Sequence, residues 1–168
     1  MTTAKAGNIL TIENLFEALP PKARLLGLDL GTKTIGLAVS DIERSIATPY
    51  ETIRRTKFGA DSKLLIAAAQ KQDVFAYVIG LPLNMDGSEG PRAQATRAFI
   101  RSMAPLDSRP FIFWDERLST AAVTRELIAQ DASRAKRAEV VDRMAAAYIL
   151  QGVLDRLAAI GRARQIDN

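Results

Sequence analysis

The sequence predicts an α/β fold with three layers, in which helices cover a mixed five-stranded sheet. Two observations support this prediction. From Arg24 onward, apolar residues recur with a period of two through successive segments, a pattern typical of antiparallel strands. Further along, continuous apolar runs alternate with stretches of helical periodicity, which indicates strands that are buried on both faces.

Each element follows from a local pattern. The opening strands are "RLLGLDLG", "TIGLAVS" and "SIATPYETIRR", and the third is expected at a sheet edge because Pro49 cannot donate a ladder hydrogen bond. The later elements are the helix "GADSKLLIAAAQKQ", the strand "FAYVIGLP", the helix "PRAQATRAFIRSMA", the strand "RPFIFWDE", and the helices "STAAVTRELIAQ" and "AEVVDRMAAAYILQGVLDRL". This order, βββαβαβαα, is the layout of the ribonuclease H-like architecture.

Residues 1–20 are predicted to form an N-terminal extension, and residues 21–168 a single domain. In the extension, "TIENLFEAL" has apolar residues at helical spacing, which indicates a short helix that Pro20 and Pro21 end. The first residues lack the apolar run of a secretory signal, and we expect no window to span a membrane. The expected location is therefore the cytoplasm.

The composition limits the residue types that are available for catalysis and metal binding. The chain has no cysteine and no histidine, which excludes thiol catalysis, disulfides, Ser-His-Asp triads and imidazole metal ligands. Catalysis must then use carboxylates, Lys, Arg, Tyr, Ser or Thr, with or without a hard cation such as Mg²⁺. The formal charge of +4 is compatible with a polyanionic partner but does not require one.

Asp29 is the first candidate site residue, because it lies inside an apolar strand. Strand alternation places Leu28 and Leu30 on one face and Asp29 on the other, beside Gly27 and Gly31. An unpaired buried carboxylate costs several kcal/mol or shifts its pKa, so something must compensate this charge. The alternatives are a cation in a functional site or an ion pair with a buried Arg or Lys.

Two further acidic positions stand out. Asp115 and Glu116 end a strand and must point to different faces, so one is a site candidate and the other a turn or ion-pair residue; the pattern leaves open which is which. Asp142 shares a helix face with Ala145 and Ala146, although it is also placed to cap the helix start. Three such carboxylates are able to cage two divalent cations that clamp a phosphodiester.

Four motifs resemble the YqgF family, the Holliday-junction-resolvase-like proteins of bacteria. The motifs are "LGLDLGTKTIGLAVSD", "VIGLPLNMDGSEGPRA", "WDERLST" and "VVDRMAAAYILQ", and the resemblance spans about Arg24 to Leu157. It implies a ribonuclease H-like nuclease that processes the 5′ end of pre-16S ribosomal RNA in ribosome biogenesis. It also implies a catalytic and metal-binding triad of Asp29, Glu116 and Asp142, which would hold Mg²⁺ or Mn²⁺.

Basic and polar residues near these motifs are candidates for substrate binding. Glycines in "GLPLNMDGSEGPR" allow sharp turns and offer backbone N–H groups to phosphates. The segment "SRAKRAEVVD" places a basic cluster just ahead of the helix that carries Asp142, and "IRRTK" with Arg55 is a second basic cluster. A charge run is also typical of an ordinary solvated face. The substrate-binding candidates are Lys33, Asn84, Arg92, Arg134, Lys136 and Arg137.

Three alternatives remain open at the level of sequence. The first is a Holliday junction resolvase that acts on four-way DNA, which would require a homodimer for symmetric cutting. The second is a non-catalytic ribosome-assembly or transcription-associated module that binds nucleic acid. The third is an ATPase of the actin type, whose first phosphate loop is similar to "GLDLGT", but such proteins need a second lobe and a second loop that a chain of 168 residues lacks.

Overall fold

The structure is a computed structural model that describes residues 8–118 and 134–167, with the side chains of 134–140 outside the description. The strands are β1 Ile9–Leu10, β2 Arg24–Leu30, β3 Thr34–Ser40, β4 Ala47–Arg54, β5 Val74–Leu81 and β6 Phe111–Asp115. The helices are α1 Ile12–Ala18, α2 Phe58–Lys71, α3 Pro91–Met103 and α4 Arg134–Asp167, and a 3₁₀ turn spans Glu116–Leu118. The predicted helix "STAAVTRELIAQ" lies outside the described residues.

The strands form one mixed sheet in the order β1-β6-β5-β2-β3-β4. β2, β3 and β4 pair antiparallel, whereas β5 pairs parallel with β2 and with β6. β4, which contains Pro49, lies at the sheet edge as expected. The predicted α/β fold with a mixed sheet is therefore confirmed.

The predicted count of five strands is wrong, because the described residues alone form a sheet of six. The additional strand, β1, comes from the N-terminal extension and runs parallel to β6, with Ile9 opposite Phe111. The Asn8 side chain donates to the carbonyl oxygens of Ala104 and Asp107 at 3.2 and 3.0 Å. A strand of two residues is too short to show a periodic pattern, and its pairing depends on residues about a hundred positions away.

Two hydrophobic clusters lie on the two faces of the sheet. On one face, Leu26, Leu28 and Leu30 of β2 pack with buried residues of α2 and α3. On the other face, Leu25 belongs to the cluster formed by α1 and α4. The alternation predicted for β2 is therefore correct, and the Asp29 face is the one that α4 covers.

The long helix α4 corrects the expectation that no segment of the chain has the length and apolar composition of a membrane span. By length and composition, its segment Val141–Asp167 is apolar enough to cross a membrane. In this fold, Ala146, Ile149 and Leu150 of the segment are fully buried in the core beneath the helix. Packing onto the sheet accounts for the apolar composition of α4, since a helix buried in a core is apolar over much of its surface.

Glycines allow α4 to approach the sheet closely. A β-carbon at Gly27 would lie 2.8 Å from Leu150 Cβ and 2.9 Å from the Ala146 carbonyl oxygen. A β-carbon at Gly36 of β3 would overlap the backbone carbonyl group of Asp142. The helix backbone rests directly on the sheet at these points.

We expect the substitution Gly36→Ala to destabilise the fold by about 3 kcal/mol, because a methyl group there forces α4 away from β3. Urea unfolding of the variant measures this loss. The control is Gly59→Ala in α2, where a β-carbon would meet nothing within 4 Å. This substitution should not destabilise the fold, because alanine lowers the conformational entropy of the unfolded chain relative to glycine. Equal stability of the two variants would contradict the close packing of α4.

Candidate functional site

A polar cleft of about 330 Å³ opens where β2 ends. Two acids, Asp29 and Asp142, line it together with two cationic side chains, Lys33 and Arg92. The rest of the wall comes from Gly31 and Thr32 in the turn after β2 and from Thr34, the first residue of β3. The cleft therefore brings together residues from β2, the following turn, α3 and α4.

Asp29 occupies the centre of a row of small residues that crosses the sheet. Its antiparallel partner on β3 is Gly36. On the other side, Leu28 pairs with Ile79 of β5, so the next residue, Gly80, neighbours Asp29. Asp29 is only 6% exposed. Its carboxylate thus projects from a part of the sheet that has no side chains on either side.

Asp142 lies above the Gly36 side of this row. Its backbone carbonyl group rests against Gly36, in contact that a β-carbon would prevent. Its carboxylate oxygen Oδ2 accepts a hydrogen bond from the Thr34 hydroxyl. A strand residue and a helix residue that are 108 positions apart are thereby joined at the edge of the cleft.

Glu116 lies above the Gly80 side of the row. It opens the 3₁₀ turn after β6 and is 8% exposed. A β-carbon at Gly80 would lie 2.5 Å from Glu116 Oε1, so only glycine leaves room for this carboxylate. Glu116 does not line the cleft itself. Within residues 8–118 and the described part of α4, no three acidic groups stand together as a ready-made metal cluster.

Asp115 and Glu116 point to different sides, as the alternation of a strand requires. Asp115 forms an ion pair with Arg117, in which Nη2 lies 2.7 Å from Oδ2. The hydrogen bond from the Arg117 side chain lowers the pKa of Asp115 below its ordinary value. Arg117 Nη1 also donates to the Met85 carbonyl oxygen at 3.1 Å. Asp115 is therefore the ion-pair residue of the two, and its partner Arg117 joins the 3₁₀ turn to the loop before α3.

The proposed substrate-binding residues fall into separate groups. Lys33 and Arg92 line the cleft, and Arg92 Nη2 donates to the Leu30 carbonyl oxygen at 2.8 Å. Asn84 does not line the cleft; its side chain donates to Ser88 Oγ at 3.0 Å and closes the loop before α3. Arg134, Lys136 and Arg137 lie in the first turns of α4, with side chains outside the described part of the chain.

Arg55 has a role that its sequence context did not indicate. Its Nη1 donates to the Gly31 carbonyl oxygen at 2.6 Å, and its guanidinium lies 5.3 Å from the centre of the Phe99 ring. The Arg55 backbone N–H also donates to the Lys33 carbonyl oxygen at 2.9 Å. Arg55 therefore braces the turn that carries Lys33, although the segment "IRRTK" resembles an ordinary solvated cluster.

The family model described as "RuvX: Holliday junction resolvase" matches residues 23–156. The chain belongs to the RuvX family. It is 69% identical over 153 residues to a protein of Beijerinckia indica subsp. indica named "Putative pre-16S rRNA nuclease", covering 91% of this chain and 93% of that protein. A protein of Methylocella silvestris with the same name is 67% identical, with 92% and 96% covered.

A solved structure supports the fold of this RuvX protein. The RuvC protein of T. thermophilus in complex with a Holliday junction substrate aligns with a TM-score of 0.53 over 81% of this chain and 96% of that chain. At 13% sequence identity, this likeness shows the fold alone. The family match and the named relatives confirm the resemblance to the resolvase-like family and, with it, the prediction of a nuclease.

Sequence reasoning missed the packing roles of Gly36, Gly80 and Thr34 in the site of this RuvX protein. It counted Gly80, the first glycine of "GLPLNMDGSEGPR", among the turn glycines, whereas Gly80 lies within β5. Gly36 and Gly80 occur in "TIGLAVS" and "VIGLP", each as a lone glycine within a strand. Such a glycine often marks the close approach of another backbone, which is the signal that was available. Thr34 carried no signal, because its contact with Asp142 exists only in the folded chain.

We expect the substitution Arg117→Gln to raise the pKa of Asp115 toward its ordinary value of 3.8, since the hydrogen bond that favours the charged form is lost. A carboxyl group with a lowered pKa stabilises the fold above its unfolded pKa and loses this effect as the pH falls through the folded pKa. The stability difference between wild type and variant should therefore shrink on acidification below that value. A carbon-detected NMR titration of Asp115 measures the shift.

The control is Arg101→Gln, which changes an exposed arginine of α3. This variant should leave the Asp115 titration as in wild type. An unchanged Asp115 pKa in the Arg117 variant would show that the ion pair does not act on this carboxyl group.

Proposed function

We propose that this RuvX protein is a metal-dependent phosphodiesterase whose catalytic residues are Asp29, Glu116 and Asp142. The same carboxylates would be the ligands of Mg²⁺ or Mn²⁺ in a two-metal site. The predicted reaction is hydrolysis of a nucleic-acid backbone that leaves 5′-phosphate and 3′-hydroxyl ends. We place the protein in the cytoplasm, where its substrate would be precursor ribosomal RNA.

The row Gly36–Asp29–Gly80 is the observation that carries this proposal. Each glycine leaves space for one of the other two acids, Asp142 above Gly36 and Glu116 above Gly80. Adjacent strands lie roughly 4.8 Å apart, so the three acids are grouped within about two strand spacings. If the three acids had no common role, there would be no reason for glycines on both sides of a buried aspartate.

The residues of the site fit a hard divalent cation. All donors that the acids and Thr34 offer are oxygens, and Asp29 and Glu116 are both nearly buried. Mg²⁺ and Mn²⁺ prefer oxygen ligands, and a bound cation would compensate the charge that burial makes costly. When bound, divalent ions supply an activated water and stabilise the charge that develops on the phosphoryl oxygens.

The cationic residues would position the phosphate backbone. Arg92 uses Nη2 to hold the Leu30 carbonyl oxygen while its guanidinium lines the cleft, so its orientation is fixed before a substrate binds. Lys33 lines the same cleft from the turn after β2. We propose further phosphate contacts for Arg134, Lys136 and Arg137 near the start of α4, and a backbone or sugar contact for Asn84.

Two kinds of nucleic acid are candidate substrates. The names of the relatives at 69% and 67% identity support processing of the 5′ end of pre-16S rRNA. The description of the family supports a four-way DNA junction as the alternative, in which case a homodimer would be needed for symmetric cutting. Purified protein should be offered both substrates, each with Mg²⁺ and with Mn²⁺. Cleavage of the RNA precursor at its 5′ side, without cleavage of the DNA junction, would favour pre-16S rRNA as the substrate.

We expect Asp29→Asn to reduce cleavage at least about 100-fold, because even outer-shell partners of a metal site are typically worth 10- to 100-fold. The variant should remain folded, since the substitution is isosteric and removes a buried charge. Initial cleavage rates with saturating Mn²⁺, together with thermal unfolding, test both statements.

The matched control is Asp73→Asn, which makes the same change at an exposed residue just before β5, at the opposite end of the sheet. Asp73 has a positive φ of 50°, a conformation that asparagine tolerates, so this control should fold. Wild-type cleavage by a pure Asp29 variant would remove the proposed catalytic site. Binding without cleavage by wild type would favour a non-catalytic module.

A further inference from the structure

We infer that Thr34 is a positioning residue, whose hydroxyl group fixes the orientation of the Asp142 carboxylate for metal binding. The inference rests on the proposed role of Asp142 as a metal ligand. It assigns a task to a residue that neither carries charge nor belongs to the acidic triad.

Backbone hydrogen bonds hold Thr34 in place. Thr34 is the first residue of β3, and its carbonyl oxygen accepts a hydrogen bond of 2.8 Å from the Gly31 N–H, which closes the turn after β2. Arg55 braces the same turn through the carbonyl oxygens of Gly31 and Lys33, at 2.6 and 2.9 Å. The hydroxyl of Thr34 therefore projects from a fixed point of the backbone.

The Thr34 hydroxyl donates its hydrogen to Asp142 Oδ2. The last torsion of an aspartate side chain is broad, so the carboxylate plane is poorly defined by the side chain alone. A hydrogen bond to one oxygen restricts this torsion and thereby sets the direction of the other oxygen, Oδ1. Contact between the Asp142 backbone and Gly36 fixes the other end of the same residue.

The energetic consequence is a preference for the binding-competent orientation. Carboxylates that ligate metals are usually hydrogen-bonded in turn, and the loss of such a partner typically weakens metal binding 10- to 100-fold. Without the hydroxyl, one restraint on the Asp142 carboxylate is lost, and cation binding must supply the ordering that this hydrogen bond provided. The loss should therefore be seen in metal affinity even when no substrate is present.

The test is the affinity of the intact protein for Mn²⁺, measured by calorimetric titration in the absence of nucleic acid. We expect Thr34→Val, which keeps the shape and removes the hydroxyl, to weaken Mn²⁺ binding about tenfold. Thr34→Ser keeps the hydroxyl and should bind Mn²⁺ within about twofold of wild type. A purely structural role for the side chain would not produce this rescue by serine.

Further variants separate a change in Mn²⁺ affinity from a loss of the folded state. Thr34→Ala removes the same hydroxyl without adding a methyl group, and is measured in parallel in case the valine variant does not fold. Thr48→Val changes an exposed threonine on β4 and should bind Mn²⁺ as wild type does. Thermal unfolding of every variant shows which of them retain the fold.

The Asp142→Asn variant distinguishes failure of this inference from failure of the proposed function. If Asp142→Asn weakens Mn²⁺ binding while Thr34→Val and Thr34→Ala bind as wild type does, the role of Thr34 is overturned and the metal site stands. The role of Thr34 would also be overturned if Thr34→Ser bound Mn²⁺ as weakly as Thr34→Val. If Asp142→Asn has no effect on Mn²⁺ binding, the proposed metal site falls and the role of Thr34 falls with it.

Discussion

The contact between the backbone of α4 and the surface of the sheet determines most of this structure. Ordinary side chains on the sheet would hold the helix backbone away from the strands, but no side chain stands beneath α4 at Gly27 and Gly36. The helix backbone then reaches the strand that neighbours Asp29. Gly80 of β5 also lacks a side chain, so Glu116 can approach from the end of the neighbouring strand, β6. The absence of side chains at these three positions of the sheet thus produces both the packing of α4 and the grouping of the acids.

This arrangement opposes the stability of the isolated fold. Burial of carboxylates costs several kcal/mol unless hydrogen bonds or opposite charges compensate it. The described contacts provide part of this compensation, because the Thr34 hydroxyl binds Asp142 and the cationic groups of Lys33 and Arg92 line the cleft. A site that gathers like charges is more stable with a cation bound, which links the chemistry of the site to the stability of the domain.

Arginine contributes to this site mainly through contacts with backbone carbonyl groups. Arg55 and Arg92 donate to consecutive carbonyl oxygens, those of Gly31 and Leu30, and so hold the end of β2 from two sides. Arg117 does the same at Met85 while it pairs with Asp115. The guanidinium group is suited to this task because several N–H donors lie in one rigid plane. The positive charge of the chain therefore serves internal order as well as attraction of a polyanion.

The sequence by itself determined the order of the described elements from β2 onward, the face on which Asp29 lies, the edge position of β4 and the family. Strand alternation, proline chemistry and contiguous motifs are local properties, and each can be recognised within one segment. Tertiary structure decided the remainder. It added β1 to the sheet, joined Arg117 to the Met85 carbonyl oxygen, and placed Asp142 against Gly36 and Thr34. These features depend on contacts between segments far apart in the chain, and no local periodicity encodes which distant residue will provide the contact.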